Sequence, residues 1–366
     1  MQDSGKNTNF ANKKTIMEEI LGLQLSIIVP VYNVEKYVRP CMESIFRQGL
    51  DEDCFEVIIV NDGTEDHSME VIQDIIDQHK NIIVINQENQ GLSVARNNGI
   101  AMAKGGYILM PDSDDMLIDN SLKPLLEIAI ETKADIIVAD FLKMNSEEIN
   151  NFKGVCNADI KIEEKTGEQL TIEDLNVNQC YVWRSLFRRN FIVDNQISFY
   201  PGVFFQDVPF THECYIKADR CIRTSRQFYI YRKGRPEAAT FSYSLKKGKD
   251  FCMVIARTWE LTKLNNPPHI QHKLKEDIFI SFSNMVYNTA FMKSKSEKQQ
   301  IIDYMKQLVP DLAFSNGLRQ VIYTFMYKNM PYSLITIRYI YGIVFDNCIR
   351  PFYYHWLRRP FQEKRK

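Results

Sequence analysis

Short apolar runs alternate with segments of helical length between residues 25 and 139, and this alternation restricts the fold more than any other feature of the chain. The runs are rich in Val and Ile, as expected for strands that are buried on both faces of a sheet. Predicted strands cover residues 25–33, 55–60, 82–85, 106–110 and 135–139, and predicted helices cover 34–48, 66–79, 92–104 and 120–133. Strands and helices that alternate with short connections form a parallel sheet with right-handed crossovers. We therefore expect an α/β, Rossmann-like, mainly parallel sheet.

Polar residues directly follow three of the predicted strands. Asn33 follows the first strand, Asp62 the second and Asp112 to Asp115 the fourth. The carboxyl ends of parallel strands share one edge of a sheet, and ligands of open α/β sheets bind outside that edge. We expect these side chains to line a single cleft.

The acidic stretch from Asp112 to Asp115 is a candidate metal site. Carboxylates at alternating positions, such as Asp112 and Asp114, can converge on one hard cation, and Mg²⁺ and Mn²⁺ prefer such oxygen ligands. A solvated acidic turn at a strand end is the alternative, because a short acidic motif is weak evidence by itself.

Arg96 lies in the first turns of a predicted helix, directly after Gly91 and Ser93. Because the N-terminus of a helix favours anions, this position suits a phosphate-binding arginine. A surface arginine paired with a nearby acid explains the same residue.

Asp207 stands alone as an acid in an aromatic run, after Phe204 and Phe205 and before Phe210. A carboxylate that is partly removed from water has a raised pKa and can act as a general base. The same residue precedes a helical pattern with Pro209 two positions later, so it could also be a helix N-cap.

The chain of 366 residues suits one large domain and a smaller one. We divide it into a polar extension over residues 1–24, a catalytic domain over 25–245 and a helical region over 246–366. The formal net charge of −1 gives no overall field that favours nucleic acid. The eight cysteines form no CxxC pair, which argues against a zinc site and for free thiols in a reducing compartment. The absence of a signal peptide and of an apolar run of ~20 residues predicts a cytoplasmic protein.

The C-terminal region combines apolar, aromatic and basic residues. Residues 332–345 are apolar and aromatic apart from Arg338, and the remaining residues to Lys366 mix basic and aromatic side chains. This composition suits a helix lying in a membrane interface, which would make the protein peripheral to the inner face of a membrane. A helix packed on the catalytic domain, followed by a solvated basic tail, is the alternative.

Four segments in this order resemble the family 2 glycosyltransferases, which are inverting enzymes with the GT-A fold. They are SIIVPVYN at 26–33, IVNDGTED at 59–66, NQGLSVARNNG at 89–99 and DSDD at 112–115. The resemblance is dense over residues 25–140 and looser over 180–240. Each segment is short, and their order and spacing carry the signal.

The resemblance implies a nucleotide-sugar donor, with a UDP-sugar expected, a Mg²⁺ or Mn²⁺ cofactor, and a saccharide or lipid-linked acceptor. It implies that Asp114 binds the metal, that Asp207 is the catalytic base, and that Gln206 and Trp183 lie on the acceptor side. The residues it assigns to donor binding are Pro30, Tyr32, Asn33, Glu35, Asp62, Arg96, Asp112 and Ser113.

Two positions depart from the family pattern. Gln206 replaces the usual Glu before the base, and Asn61 replaces an Asp that commonly precedes Asp62. Because Gln can hydrogen-bond to a hydroxyl but adds no charge, we expect the first change to affect acceptor preference.

The expected function is sugar transfer in the synthesis of a surface polysaccharide or glycolipid. A nucleotidyltransferase would be expected to carry a Gly-rich, basic phosphate loop, and the segment from Pro30 to Asn33 is not one. A catalytically silent carbohydrate-binding protein on the same fold is the remaining alternative, because fold does not fix function.

Overall fold

The computed structural model describes residues 22–155, 159–234 and 243–344. They form two compact units. The first comprises residues 22–202 and 206–234 and is called the catalytic unit after the predicted catalytic domain. The second, the helical unit, comprises residues 203–205 and 243–344. Most of the predicted N-terminal extension, and the basic tail beyond residue 344, lie outside the described residues.

The catalytic unit is built on a sheet of nine strands. In chain order the strands are β1 (Leu25–Val31), β2 (Phe55–Asn61), β3 (Ile82–Asn86), β4 (Tyr107–Leu109), β5 (Met116–Leu117), β6 (Ile136–Met144), β7 (Ile162–Lys165), β8 (Ser185–Arg188) and β9 (Cys221–Arg232). Their order across the sheet is β3-β2-β1-β4-β8-β6-β9-β5, and β7 pairs with β9.

The first four strands form the parallel part that the sequence predicts. β1 pairs in parallel with β2 and with β4, and β2 pairs in parallel with β3. All residues of β1 are buried, as expected for a central strand covered on both faces. In the register, Val31 faces Asn61, so the segments after β1 and β2 leave the sheet side by side at one edge.

The rest of the sheet is mixed. β8 runs antiparallel to both of its neighbours, β4 and β6, while β5 and β7 run antiparallel to β9. The alternation over residues 25–139 predicts only parallel strands. It does not include β8 and β9, which come from later parts of the chain where the periodicity no longer indicates strand direction.

Eight α-helices belong to the catalytic unit within the described residues. They are α1 (Val38–Phe46), α2 (Gln73–Gln78), α3 (Leu92–Met102), α4 (Leu122–Thr132), α5 (Ser146–Asn150), α6 (Gly167–Glu173), α7 (Arg189–Asp194) and α8 (Asp207–Lys217). Helix α3 lies tightly against the sheet, because a Cβ atom on Gly99 would come within 2.2 Å of Ile28 Cγ2.

Helices α1 and α2 begin later than the sequence predicts. Asp66, the first residue of the predicted second helix, accepts hydrogen bonds from the backbone N–H groups of Ser68 (3.0 Å) and Glu35 (2.9 Å). The Ser68 hydroxyl accepts from the N–H of Val34 at 2.9 Å. These side chains therefore tie together the loops that follow β1 and β2.

The helical unit contains five helices within the described residues. They are α9 (Leu245–Leu261), α10 (Pro268–Phe291), α11 (Lys295–Leu308), α12 (Leu318–Asn329) and α13 (Pro331–Val344). Buried apolar residues such as Cys252, Ile278, Phe282 and Met305 form a core of their own. Among the residues described, we find no helix that is both long and apolar enough to span a bilayer.

Candidate active site

Arg96 is the buried centre of the site. Its side chain has 0% exposure although it carries a full charge. Nη1 donates to Asp207 Oδ1 at 2.7 Å and Nη2 donates to Asp112 Oδ1 at 2.7 Å. Burial lowers the pKa of Arg96, but Asp207 and Asp112 outweigh it and raise the pKa above its usual value. Arg96 thus forms a buried bridge between two carboxylates. This differs both from a phosphate-binding arginine and from a surface arginine paired with one acid, the two interpretations that the sequence suggests.

Asp207 is the first residue of helix α8 and is not its N-cap. The N-cap is Gln206, which makes no side-chain capping bond, while the carboxylate of Asp207 pairs with Arg96. The N-cap interpretation of Asp207 is therefore wrong. The Asp207 side chain is 23% exposed, so part of it is open to solvent.

The surroundings of Asp207 suit a proton acceptor. Burial raises its pKa, Arg96 lowers it and Asp112 raises it, and the net result is a pKa of about 6. A base with a pKa just below neutral pH is deprotonated when needed and still binds a proton strongly.

The loop after β4 gathers three carboxylates. Oxygen atoms of Asp112, Asp114 and Asp115 all lie within 4.8 Å of one another. Asp112 and Asp114 are partly exposed, while Asp115 is buried. Burial, then Asp114 and then Asp112, raise the pKa of Asp115 well above its usual value. The three groups provide the hard oxygen ligands that a divalent cation prefers.

Strand β9 holds this loop in place from the other side. The Tyr229 hydroxyl accepts from the N–H of Asp112 at 3.0 Å and donates to Asp115 Oδ2 at 2.9 Å. The N–H of Arg232 donates to Asp115 Oδ1 at 2.7 Å, and its Nε donates to the carbonyl of Asp114 at 3.0 Å. Neither Tyr229 nor Arg232 is among the site residues that the sequence predicts. The β-prone aromatic run around Tyr229 was the signal that could have indicated a strand here.

Two of the predicted donor-side residues, Asn33 and Asp62, follow β1 and β2 at the carboxyl ends of these strands. Asp62 is buried and accepts from the N–H groups of Gln90 (2.8 Å) and Gly91 (2.9 Å), so it fixes the loop that leads into α3. Asn33 adopts a positive φ of 51° and its side-chain oxygen accepts from the N–H of Glu65 at 3.2 Å.

The other predicted donor residues differ in exposure. Tyr32 is exposed, whereas Pro30 and Ser113 are buried. Glu35 is half-buried and its carboxylate accepts from the N–H of His67 at 3.2 Å. Tyr32 is thus the member of this group whose ring is open to a ligand.

The two predicted acceptor residues are both buried. Gln206 accepts a hydrogen bond from Arg96 at 3.2 Å. Trp183 is 1% exposed and stacks on Tyr229 (4.2 Å between ring centroids) and on Tyr181 (4.6 Å). Trp183 therefore contributes to the core beneath the acidic loop, while the half-buried Tyr181 forms the outer ring of the stack.

The chain is similar to known glycosyltransferases. Residues 26–193 match the model of "Glycosyl transferase family 2". "Uncharacterized glycosyltransferase EpsJ" of Bacillus subtilis (strain 168) is 36% identical over 211 residues, which cover 57% of this chain and 61% of that protein. Glycosyltransferase GlyG of Streptococcus pneumoniae is 27% identical over 245 residues, covering 64% of this chain and 78% of the relative. The chain thus matches less than two thirds of the length of EpsJ.

A solved structure shows the same fold. Residues 1–349 of TarS from Staphylococcus aureus, in complex with UDP-GlcNAc, superpose with a TM-score of 0.65 over 86% of this chain and 89% of the TarS chain, at 20% identity. The predicted GT-A fold is confirmed.

Proposed function

We propose that this chain, whose residues 26–193 match the model of "Glycosyl transferase family 2", is a glycosyltransferase of that family. It transfers a sugar, with inversion, from a nucleoside diphosphate sugar to an acceptor hydroxyl. The observation that carries the proposal is the pairing of Asp207 and Asp112 with the single guanidinium of Arg96, at 2.7 Å each. The base and the acidic loop are thereby fixed relative to each other, as a displacement with defined geometry requires.

The reaction uses Asp207 as the proton acceptor. The acceptor hydroxyl gives its proton to the Asp207 carboxylate while its oxygen forms a bond to the anomeric carbon. The bond from that carbon to the diphosphate oxygen breaks, and its electron pair leaves with the nucleoside diphosphate. Attack opposite the leaving group inverts the anomeric configuration in one step.

The acidic loop is the proposed site of a Mg²⁺ or Mn²⁺ ion. The carboxylate oxygens of Asp112, Asp114 and Asp115 are close enough to serve one cation, and such oxygen ligands suit both metals. Both carboxylate oxygens of Asp115 already accept a hydrogen bond, one from the Tyr229 hydroxyl and one from the N–H of Arg232. We assign the principal metal contact to Asp114. A bound cation would act as a Lewis acid that stabilises charge on the departing diphosphate.

We propose a UDP-sugar, with a hexosyl group, as the donor. The related TarS fold binds UDP-GlcNAc in its crystals. On the acceptor side we propose a saccharide or lipid-linked hydroxyl compound used in a surface polysaccharide or glycolipid, made at the cytoplasmic face of a membrane. One relative is a poly(ribitol-phosphate) beta-glucosyltransferase of Bacillus spizizenii. It is 26% identical over 212 residues, which cover 57% of this chain and 32% of the relative.

Release of UDP from a panel of UDP-sugars, with Mn²⁺ or Mg²⁺ present, tests the proposal. We expect slow metal-dependent hydrolysis of at least one donor, because water can replace the acceptor. Saccharide binding without UDP release from any donor would instead favour the catalytically silent alternative.

A further inference from the structure

The helical unit exposes an unusual amount of apolar surface on its last two helices. Ten of the twenty exposed large apolar side chains in the described residues lie between Leu318 and Tyr341. Side chains of this kind that occur singly need no explanation, but a concentration of them marks an interaction surface.

On helix α12 the exposed apolar residues form one stripe. Leu318, Val321, Ile322 and Phe325 follow the spacing i, i+3, i+4, i+7, which places them on one face of a helix. Leu318 is 77% exposed and Phe325 is 57% exposed.

Helix α13 adds a second exposed stripe. Ile337, Ile340 and Tyr341 follow the spacing i, i+3, i+4, and Ile340 is 56% exposed. Helices α12 and α13 follow one another directly and pack against each other. Tyr332 and Tyr339 are also exposed, and aromatic rings with a polar end favour the boundary between membrane and water.

The charges around these stripes all have one sign. Residues 318–344 contain Arg319, Lys328 and Arg338 but no Asp or Glu. Residues 318–366 hold nine of the 45 Lys and Arg residues and only two of the 46 Asp and Glu residues, so their net charge is +7, against −8 for residues 1–317. A basic region beside an apolar face is attracted to anionic lipid.

We propose that the apolar face of α12 and α13, defined by Leu318, Val321, Ile322, Phe325, Ile337, Ile340 and Tyr341, docks on an anionic lipid bilayer. The two helices lie in the interface and place their exposed apolar side chains among the lipid chains, while the cationic side chains contact the headgroups. A second copy of the chain fits this face less well, because symmetric contact would bring together two faces that each carry Arg319, Lys328 and Arg338 and no carboxylate within residues 318–344. The inference does not depend on the proposed transfer reaction.

Co-sedimentation of the full chain with vesicles tests the proposal. One vesicle type contains phosphatidylglycerol and phosphatidylcholine at a ratio of about 1:2, and the other contains phosphatidylcholine alone. We expect binding to the anionic vesicles that weakens several-fold when salt is raised from about 0.05 M to about 0.5 M. The triple variant Leu318→Ser/Ile322→Ser/Phe325→Ser should bind at least about tenfold more weakly, because it loses most of the apolar contact of one helix.

The matched control is Met102→Ser/Ile172→Ser/Val193→Ser, which removes three exposed apolar side chains from the catalytic unit. It should bind anionic vesicles like the parent. Circular dichroism and donor hydrolysis on the same preparations check folding and activity. If the triple variant unfolds, the single changes Leu318→Ser and Lys328→Glu, both at exposed positions, replace it and should each weaken binding.

Three results would overturn the proposal. The first is a parent chain that does not bind anionic vesicles, and the second is a folded triple variant that binds as well as the parent. The third is a parent dimer in analytical ultracentrifugation that the triple variant converts to a monomer, without vesicle binding, since this would assign the face to a second copy.

Discussion

Arg96 and Asp207 lie 111 residues apart in the chain and form a buried ion pair, with 2.7 Å between Nη1 and Oδ1. The pair joins helix α3 to the first residue of helix α8. The guanidinium also donates to Asp112, so Arg96 connects the proposed base to the acidic loop.

Replacement of Asp207 by Asn should lower turnover by about 100-fold or more, the usual contribution of a general base. Asn keeps the size and one hydrogen-bond acceptor but does not take up a proton at neutral pH. Donor affinity, measured by the thermal shift with UDP and Mn²⁺, should change little. Asp194→Asn, at an exposed carboxylate of α7, is the matched control. Near-parental turnover of folded Asp207→Asn would make Asp207 structural only.

The pH dependence of kcat/KM should show an acid limb near pH 6. Asp207 has a pKa of about 6 and works only when deprotonated, so activity should fall about tenfold per unit below that pH. Arg96 lowers the pKa of Asp207, so Arg96→Gln should move the limb to higher pH. Arg96→Lys, which keeps the charge, should move it less.

Removal of one partner from a buried ion pair is strongly destabilising, by about 3–5 kcal/mol. Thermal melts must therefore show that the Arg96 variants are folded at the assay temperature. A limb that stays at the same pH in folded Arg96→Gln would contradict the proposed electrostatic role of Arg96.

Asp114→Asn should abolish the thermal stabilisation that UDP and Mn²⁺ give together. An amide is a weaker ligand than a carboxylate for a hard cation, and Asp114 is half-exposed, so the fold itself should survive. Asp53→Asn, at an exposed acid before β2, should behave as the parent does. Full activity in the presence of a chelator would argue against a metal.

Tyr229→Phe removes one hydroxyl and keeps the ring that stacks on Trp183. The N–H of Asp112 and Oδ2 of Asp115 then lose a partner, which should destabilise the fold by about 1–3 kcal/mol and raise the donor KM. Tyr107→Phe is a control for stability, because the Tyr107 hydroxyl donates to the carbonyl of Ala129 in helix α4 at 2.6 Å. It should lower stability without changing the donor KM, and an equal change in KM for both variants would show that Tyr229 has no specific role.

The sequence determined the parallel part of the sheet and the positions of the polar segments. Strands β1 to β4 are short runs of branched apolar residues, and this local pattern is sufficient to indicate them. Asp62 and Asp112 were located correctly at the carboxyl ends of their strands, because the side on which parallel strands end depends only on their order and direction.

The tertiary structure alone decided how these residues are used. Arg96 lies buried between Asp112 and Asp207, and its bond to Asp207 joins segments more than a hundred residues apart, whereas its bond to Asp112 is local in the chain. Tyr229 and Arg232 of β9 support the acidic loop, and their bonds to Asp115 also span more than a hundred residues. Whether Arg96 lies on the surface or is buried depends on which later segment of the chain covers α3. The hydrophobic pattern of the α3 sequence does not indicate that segment. The pKa of Asp207 depends on the burial of Asp207 itself and on the charges of Arg96 and Asp112. The acid–base behaviour of this carboxylate therefore follows from packing that local sequence patterns do not specify.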